Sequence, residues 1–99
     1  MEIMIETEKL EKAAFILKTI AHPTRLAIIS FLNNNGPSTV SEICSETNCE
    51  QSLISHHLIN MKLKGILLAK KEGTKVIYSL KEKELCAVIN LMDKCNCNF

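Results

Sequence analysis

Hydrophobic residues recur every three or four positions along four stretches between residues 7 and 64. In the fourth stretch, for example, Ile54, Leu58 and Met61 follow one another at steps of four and three. This spacing places an apolar set on one face of a helix. It predicts four helices, at about residues 7–20, 24–33, 40–47 and 51–64.

Helix-breaking and capping residues separate these stretches. Pro23 is suited to the first turn of the second helix, and the run Asn-Asn-Asn-Gly-Pro at 33–37 predicts a turn after it. Ser38 or Thr39 can cap the third helix. Gly65 is placed to end the fourth.

Two short runs of aliphatic and β-branched residues follow, at 66–71 and 75–80, around Glu-Gly-Thr at 72–74. They predict a β-hairpin. A last apolar stripe predicts a helix over about 81–94. The expected fold is mainly α with a small β-hairpin, in the order ααααββα. Since 99 residues with 46% hydrophobic content can bury one modest core, a single domain over residues 1–99 is expected.

Only three residues, Asn48 to Glu50, separate the third and fourth predicted helices. So tight a junction indicates a helix-turn-helix with the second helix in the recognition position. The outward face of that helix carries Gln51, Ser52, Ser55 and His56. These uncharged polar groups and the histidine can donate to and accept from base edges in a DNA major groove. An ordinary polar surface helix is the alternative interpretation.

Positive charge is concentrated in one segment, although the net charge is only +1. Residues 62–81 contain six lysines against Glu72 alone, which amounts to +5. Lys70, Lys71 and Lys75 lie on the arms of the predicted hairpin. A helix-turn-helix followed by a basic hairpin is the order of a winged helix, in which lysines of the wing neutralise DNA phosphates. A solvated basic hairpin is the alternative.

Composition restricts compartment and chemistry. No apolar run approaches the roughly 18 residues of a membrane span. The acidic start, Met1-Glu2-Ile3, is unlike that of a signal peptide, so we expect a cytoplasmic protein without membrane partners. No nucleophile–base pair, phosphate-binding loop or closed metal motif is recognisable, and an enzyme is not expected. Five cysteines, an odd number, do not indicate a disulfide framework.

Four segments together resemble the ArsR/SmtB-type repressors, the metal- and thiol-responsive transcription regulators of bacteria and archaea. They are residues 20–29 (IAHPTRLAII), 51–58 (QSLISHHL), 64–67 (KGIL) and 72–80 (EGTKVIYSL). The segments have the family's spacing, and the resemblance extends over nearly the whole chain. It implies a homodimer whose interface is formed by the first and last helices. It also implies a pseudo-palindromic double-stranded DNA operator, released when an inducer binds.

The resemblance also assigns roles by position. The residues implied to contact DNA are Gln51, Ser52, Ser55 and His56 on the helix and Lys70, Lys71 and Lys75 on the wing. His57 is implied to face inward as a structural hydrogen-bonding residue, and Arg25 to anchor the start of the second helix. Ile59 departs from the family, whose members often carry a basic residue there. The departure removes support for one phosphate contact.

The cysteines do not follow the family's sensing patterns. Arsenic and cadmium sensors carry Glu-Leu-Cys-x-Cys where this chain has residues 37–41 (PSTVS). The zinc-type pattern of the last helix is represented only by two glutamates and one cysteine, a poor ligand set for zinc. Cys44 and Cys49 stand at positions that are usually apolar, and we expect both in the core.

Cys95 and Cys97 are the better sensing candidates, because two thiols two residues apart can converge on a soft metal or metalloid ion. Cys86 lies about three helical turns, roughly 16 Å, from Cys97 and would have to join them across a dimer. Apart from such an ion, no cofactor is expected. A redox or sulfide switch is one alternative, and cysteines that only pack are another. A winged-helix module that binds protein without DNA is the alternative from a different class.

Overall fold

The computed structural model describes residues 6–82 and Leu85. Helices and strands follow one another there in the order α1, α2, β1, α3, α4, β2, β3. Their bounds are α1 Thr7–Ile20, α2 Pro23–Asn35, β1 Ser38–Thr39, α3 Val40–Thr47, α4 Gln51–Leu63, β2 Leu67–Glu72 and β3 Lys75–Leu80. The four predicted helices are present, and α2 is longer than predicted at both ends. The helix predicted over 81–94 falls almost entirely outside the described residues.

Local caps explain where α2 begins and ends. His22 is its N-cap, and the ring Nδ1 accepts a hydrogen bond from the N–H of Thr24 at 3.1 Å. Pro23 occupies the first turn, where a missing N–H has no cost. At the other end Gly36 adopts φ 78° and donates its N–H to the carbonyl of Leu32 at 2.9 Å. Glycine adopts this positive φ without steric cost.

A reciprocal cap sets the start of α3. The hydroxyl of Thr39 accepts from the N–H of Glu42 at 3.3 Å, and the Glu42 carboxylate accepts from the N–H of Thr39 at 3.1 Å. The hydrogen bond from the Thr39 backbone, then that from its hydroxyl, and then the charge of Lys75 lower the pKa of Glu42. Of the two predicted caps, Thr39 is therefore the one that the helix uses.

The sheet has three antiparallel strands in the order β1-β3-β2. β2 and β3 form the predicted hairpin, and β1 pairs with β3 through Ser38–Tyr78 and Thr39–Ile77. The prediction of a hairpin alone is thus corrected to a hairpin with a third, short strand. Two residues are too few to show an alternating pattern, and their partners lie far along the chain.

The core lies between α2, α3, α4 and the inner face of the sheet. Its buried hydrophobic residues are Ile20, Ile28, Ile29, Leu32, Ile43, Ile54, Leu58, Met61, Ile66, Leu67, Tyr78 and Leu85. Within α1, only Thr19 and Ile20 are buried. Leu10 and Leu17, which belong to the predicted apolar stripe, are 40% and 52% exposed in the single chain. Most of α1 therefore extends beyond the core.

No single helix among residues 6–82 has the length and hydropathy of a membrane span. α1 and α2 meet those criteria only when taken together, across a bend of 102°.

Candidate nucleic-acid interface

One left-handed residue forms the turn between α3 and α4. Asn48 has φ 54° and ψ 38°, and its N–H donates to the carbonyl of Cys44 at 2.9 Å. Asparagine adopts this conformation more readily than most residues. Cys49 and Glu50 then lead directly into Gln51. α3 and α4 thus form the helix-turn-helix that the sequence predicted.

α4 presents a polar face to solvent along its first turns. The outward residues are the exposed Gln51, Ser52 and His56 and the half-buried Ser55. On the opposite side Ile54 and Leu58 are fully buried. Leu53, which flanks the predicted stripe of Ile54, Leu58 and Met61, is 44% exposed. Ile59, at which the chain departs from the resemblance, is 49% exposed and forms an apolar position on the outer surface.

The end of α4 fixes the position of the wing, the hairpin of β2 and β3. Gly65, with φ 80°, donates its N–H to the carbonyl of Lys62 at 3.0 Å, and Ile66 donates to the carbonyl of Met61 at 2.9 Å. These two bonds are the pattern of a glycine-terminated helix. Since Met61 and Ile66 are both buried, the recognition helix and the first strand of the wing are joined through the core.

The three predicted wing lysines are all exposed, but they do not share one face of the sheet. Register pairs Lys70 with Ile77, Lys71 with Val76 and Glu72 with Lys75. Because side chains alternate along a strand, Lys70 and Lys75 lie on one face with Glu72, and Lys71 lies on the other face. Lys70 Nζ is 3.8 Å from the carboxylate of Glu72.

A groove connects the wing to the start of α4. It has a volume of about 240 Å³ and is lined by Thr39, Val40, Ser41, Gln51, Thr74, Lys75 and Val76. Two predicted DNA-contacting residues, Gln51 and Lys75, are therefore brought together. The hydroxyl residues Thr39, Ser41 and Thr74 were not predicted to belong to the DNA-binding site. The only signal in the sequence is that each lies near a helix start or a hairpin turn. Tertiary structure decides that the helix start and the hairpin turn face the same groove.

His57 and Arg25 have internal partners, as the resemblance implied. His57 is 6% exposed, and its Nδ1 accepts a hydrogen bond from Arg25 Nε at 3.0 Å. Arg25 Nη1 also donates to the carbonyl oxygen of Thr19 at 2.8 Å. Neither residue belongs to the exposed face of α4.

Cys44 and Cys49 are half-buried and pack against the hydrophobic core. Burial, and secondarily the neighbouring Cys49, raises the pKa of the Cys44 thiol, which favours the less reactive protonated form. Cys86, Cys95 and Cys97 lie outside the described residues. Within residues 6–82 and Leu85, His, Cys, Asp and Glu side chains do not form a group of three or more that could hold a metal ion.

A helix-turn-helix joined to a lysine-bearing wing defines the winged-helix class of DNA-binding domain. Comparison with known sequences narrows the class. The model of the protein family "Bacterial regulatory protein, arsR family" matches residues 22–67, which include α2, α3 and α4. The chain is 42% identical over 87 residues to the uncharacterized HTH-type transcriptional regulator MJ1325 of Methanocaldococcus jannaschii, covering 88% of this chain and 98% of that protein. It is 34% identical over 89 residues to the transcriptional repressor PagR of Bacillus anthracis, covering 90% and 89%.

Solved structures agree with these sequence matches. The crystal structure of PagR has a TM-score of 0.80 at 33% identity, covering 88% of this chain and 99% of that one. HlyU from Vibrio cholerae has a TM-score of 0.81 at 31% identity, covering 94% and 100%. The chain belongs to the ArsR/SmtB family of winged helix-turn-helix transcriptional repressors. It is a DNA-binding regulator of transcription and not an enzyme.

Proposed function

We propose that this protein acts in the cytoplasm as a homodimeric repressor of a pseudo-palindromic operator, which it leaves when an inducer binds. In each protomer α4 lies in the major groove, and the wing follows the adjacent backbone. The side chains at the base edges are Gln51, Ser52, Ser55 and His56. The single observation that carries this proposal is the groove shared by Gln51 and Lys75, because one duplex can then contact the helix start and the wing together.

The groove itself suits a backbone phosphate. Ser41 and Thr74 supply hydroxyl donors around it, and Lys75 supplies a cation. The N-cap residue of α4, Glu50, places no side-chain hydrogen bond on the first turn. The N–H groups of that turn can therefore attract an anion. Phosphate contacts of this kind would fix the register of α4, while its outward face selects the sequence.

Exposed apolar residues on α1 support the dimer. Leu10, Ala13, Ala14 and Leu17 form the apolar stripe of that helix, and all four are exposed in the single chain. A continuous apolar stripe on a helix surface is typical of a protein interface. A two-fold dimer would present two copies of α4 to half-sites about 34 Å apart, one turn of DNA. Footprints of an operator selected from a random duplex library should therefore show two contacts separated by about 10 base pairs.

For the inducer, we propose a soft metal or metalloid ion bound by Cys95 and Cys97, with Cys86 of the other protomer as a third ligand. Thiolates prefer such ions to hard cations. Reduced thiols are also the ordinary state of cysteine in cytoplasm. Burial raises the pKa of the Cys44 thiol, which argues against that thiol as the primary sensor.

A redox or sulfide switch is the second candidate. One observation favours it, since a solved structure similar to this chain is described as reduced HlyU from Vibrio cholerae. Its TM-score is 0.79 at 32% identity, covering 92% of this chain and 95% of that one. In this form of the proposal, oxidation of the same thiols replaces metal binding.

One experiment separates these possibilities. The reduced protein, bound to the selected operator, is titrated in parallel with arsenite, cadmium, zinc and polysulfide. Release by an ion that a chelator reverses supports metal sensing, and release by polysulfide that a reductant reverses supports a redox switch. If none of the four releases DNA, the proposed inducer classes are wrong. A module that binds only protein would show no affinity for the operator. Any residual affinity would not fall steeply between about 50 and 200 mM salt.

A further inference from the structure

A single guanidinium group connects three helices on the side of α4 that faces away from the DNA-contacting residues. Arg25, in the first turn of α2, donates from Nε to His57 Nδ1 at 3.0 Å. It also donates from Nη1 to the carbonyl oxygen of Thr19, near the end of α1, at 2.8 Å. α4 packs mainly against α3 and β2. Arg25 therefore supplies a polar connection to α1 and α2.

The connection exists in only one protonation state of His57. Arginine carries only donors and stays charged at any ordinary pH. The ring Nδ1 of His57 must therefore be the unprotonated acceptor, which makes the imidazole neutral with its proton on Nε2. A second proton, on Nδ1, would remove the acceptor. It would also place two cations in contact within a largely buried setting.

The surroundings of His57 oppose that second proton. Within residues 6–82, the charged and titratable groups facing it are Arg25 from α2, His22 from the cap of α2 and His56 from α4 itself. Ring centroids are 4.8 Å apart for His22 and 5.9 Å apart for His56. Burial, followed by the charges of Arg25, His22 and His56, lowers the pKa of His57. None of these three neighbours is an acid that would stabilise an imidazolium.

We propose that Arg25 and His57 are positioning residues for DNA binding, and that protonation of His57 breaks their bond, changes the orientation of α4 and weakens operator binding. This inference rests on the DNA binding proposed above and adds a proton-linked control to it. The affinity is full where His57 is neutral in the folded protein, and it is lost as pH falls through the folded-state pKa of His57, which lies below its ordinary value of 6.5.

The chain offers matched variants for a test. His57→Asn places an oxygen acceptor close to the position of Nδ1 and cannot be protonated. Arg25→Lys keeps the charge but lacks the planar fork that reaches two acceptors. His22→Asn is the control, because asparagine retains an N-cap acceptor for Thr24 while it removes the neighbouring imidazole.

Operator affinity is measured at pH 7.5, 6.5 and 5.5 and constant salt. At pH 7.5 we expect His57→Asn and His22→Asn to bind within about threefold of wild type, and Arg25→Lys to bind about tenfold more weakly. Between pH 7.5 and 5.5 the wild type should lose up to about tenfold more affinity than His57→Asn, and His22→Asn should lose at least as much as the wild type, because the charge of His22 is one of the causes that lower the pKa of His57. A parallel loss in His57→Asn and wild type, or full affinity of Arg25→Lys at pH 7.5, would overturn the proposal.

Nitrogen NMR of the wild-type histidines provides a test that needs no variant. Nδ1 of His57 should be unprotonated at pH 7.5, and its titration midpoint should coincide with the midpoint of the affinity loss. A protonated Nδ1 at pH 7.5, or midpoints that differ clearly, contradicts the proposal. If wild type binds no duplex at pH 7.5, the proposed function itself fails. If wild type binds with a pH dependence that His57→Asn shares, only the present inference fails.

Discussion

Gln51, the first residue of α4, and Lys75, the first residue of β3, line the same groove. The two residues lie on different elements, and the pairing of β3 with β1 and β2 brings the tip of the hairpin to the start of the helix. One is an uncharged side chain suited to base edges and the other a cation suited to phosphate. Replacing each in turn therefore separates sequence recognition from backbone attraction.

Replacing Gln51 and Ser55 together by alanine should reduce operator affinity by at least tenfold and leave non-specific affinity nearly unchanged, because a good base contact contributes about 1–3 kcal/mol to discrimination. Fluorescence anisotropy with the operator and with a scrambled duplex measures both affinities. Asn34→Ala, at an exposed site on α2, is the control. An equal loss on both duplexes would contradict base recognition by this face.

Replacing Lys75 by alanine should weaken binding to all duplexes similarly and reduce the slope of log K against log salt by about 1, as the loss of one phosphate contact requires. Lys70→Ala should have a smaller effect, because Lys70 Nζ already lies 3.8 Å from the Glu72 carboxylate. Lys9→Ala on α1 is the charge-matched control. An unchanged slope for Lys75→Ala would show that this lysine meets no phosphate.

Gly65→Ala should lower the free energy of unfolding by about 1–2 kcal/mol, the cost of a left-handed conformation for a residue with a Cβ. The cost is conformational rather than steric, since the nearest atom to an added Cβ is Lys81 Nζ at 3.9 Å. Gly65→Asn should recover part of the loss. Urea denaturation measures the free energy of unfolding of the wild type and both variants. A Gly65→Ala variant as stable as wild type would contradict the account of this helix end.

Thr39→Ala should lower the free energy of unfolding by about 1 kcal/mol at pH 7, a typical value for loss of an N-cap. The cap hydrogen bonds lower the pKa of Glu42 from its ordinary 4.5. Ionised Glu42 therefore stabilises the fold above pH 4.5, and this contribution is lost as pH falls further. Urea denaturation at pH 7 and near pH 3 should show a smaller effect of Thr39→Ala at the lower pH, with Ser41→Ala as control. If Thr39→Ala destabilised the protein more near pH 3 than at pH 7, the proposed stabilisation by ionised Glu42 would be contradicted.

Replacing Cys95 and Cys97 by serine should leave operator affinity unchanged and abolish release by the inducer, because serine oxygen is a poor ligand for a soft ion. Gel-shift titration with each candidate inducer measures both properties. Cys49→Ser, which alters a half-buried thiol beside the turn, should still respond. A double variant that releases DNA as wild type does would place the sensor elsewhere.

Much of the fold could be predicted from local signals. The bounds of α1 and α3 follow from helical periodicity and from a cap residue. α2 was predicted too short, because Asn33 to Asn35 favour turns in isolation, whereas in the protein they continue the helix up to Gly36. That extension depends on packing of the residues before them, since Ile28, Ile29 and Leu32 are buried in the core.

The candidate site could be predicted less completely. The polar face of α4 was visible in the sequence, because a helix with known period assigns every side chain to a face. Alternation of side chains along a strand places Lys70 and Lys71 on opposite faces of the predicted hairpin, but which of the two shares a face with Lys75 depends on the register between the strands. Lys71 therefore lies on the opposite face from Lys70 and Lys75.

By itself, then, the sequence determined the helices, the helix-turn-helix and the basic wing, since periodicity, caps and breakers act over a few residues. Tertiary structure alone decided the third strand, the groove between Gln51 and Lys75, and the bond from Arg25 to His57. Each of these joins residues that are distant along the chain. Such contacts form only when the hydrophobic core brings the elements together, and no local pattern specifies which side chains will then meet.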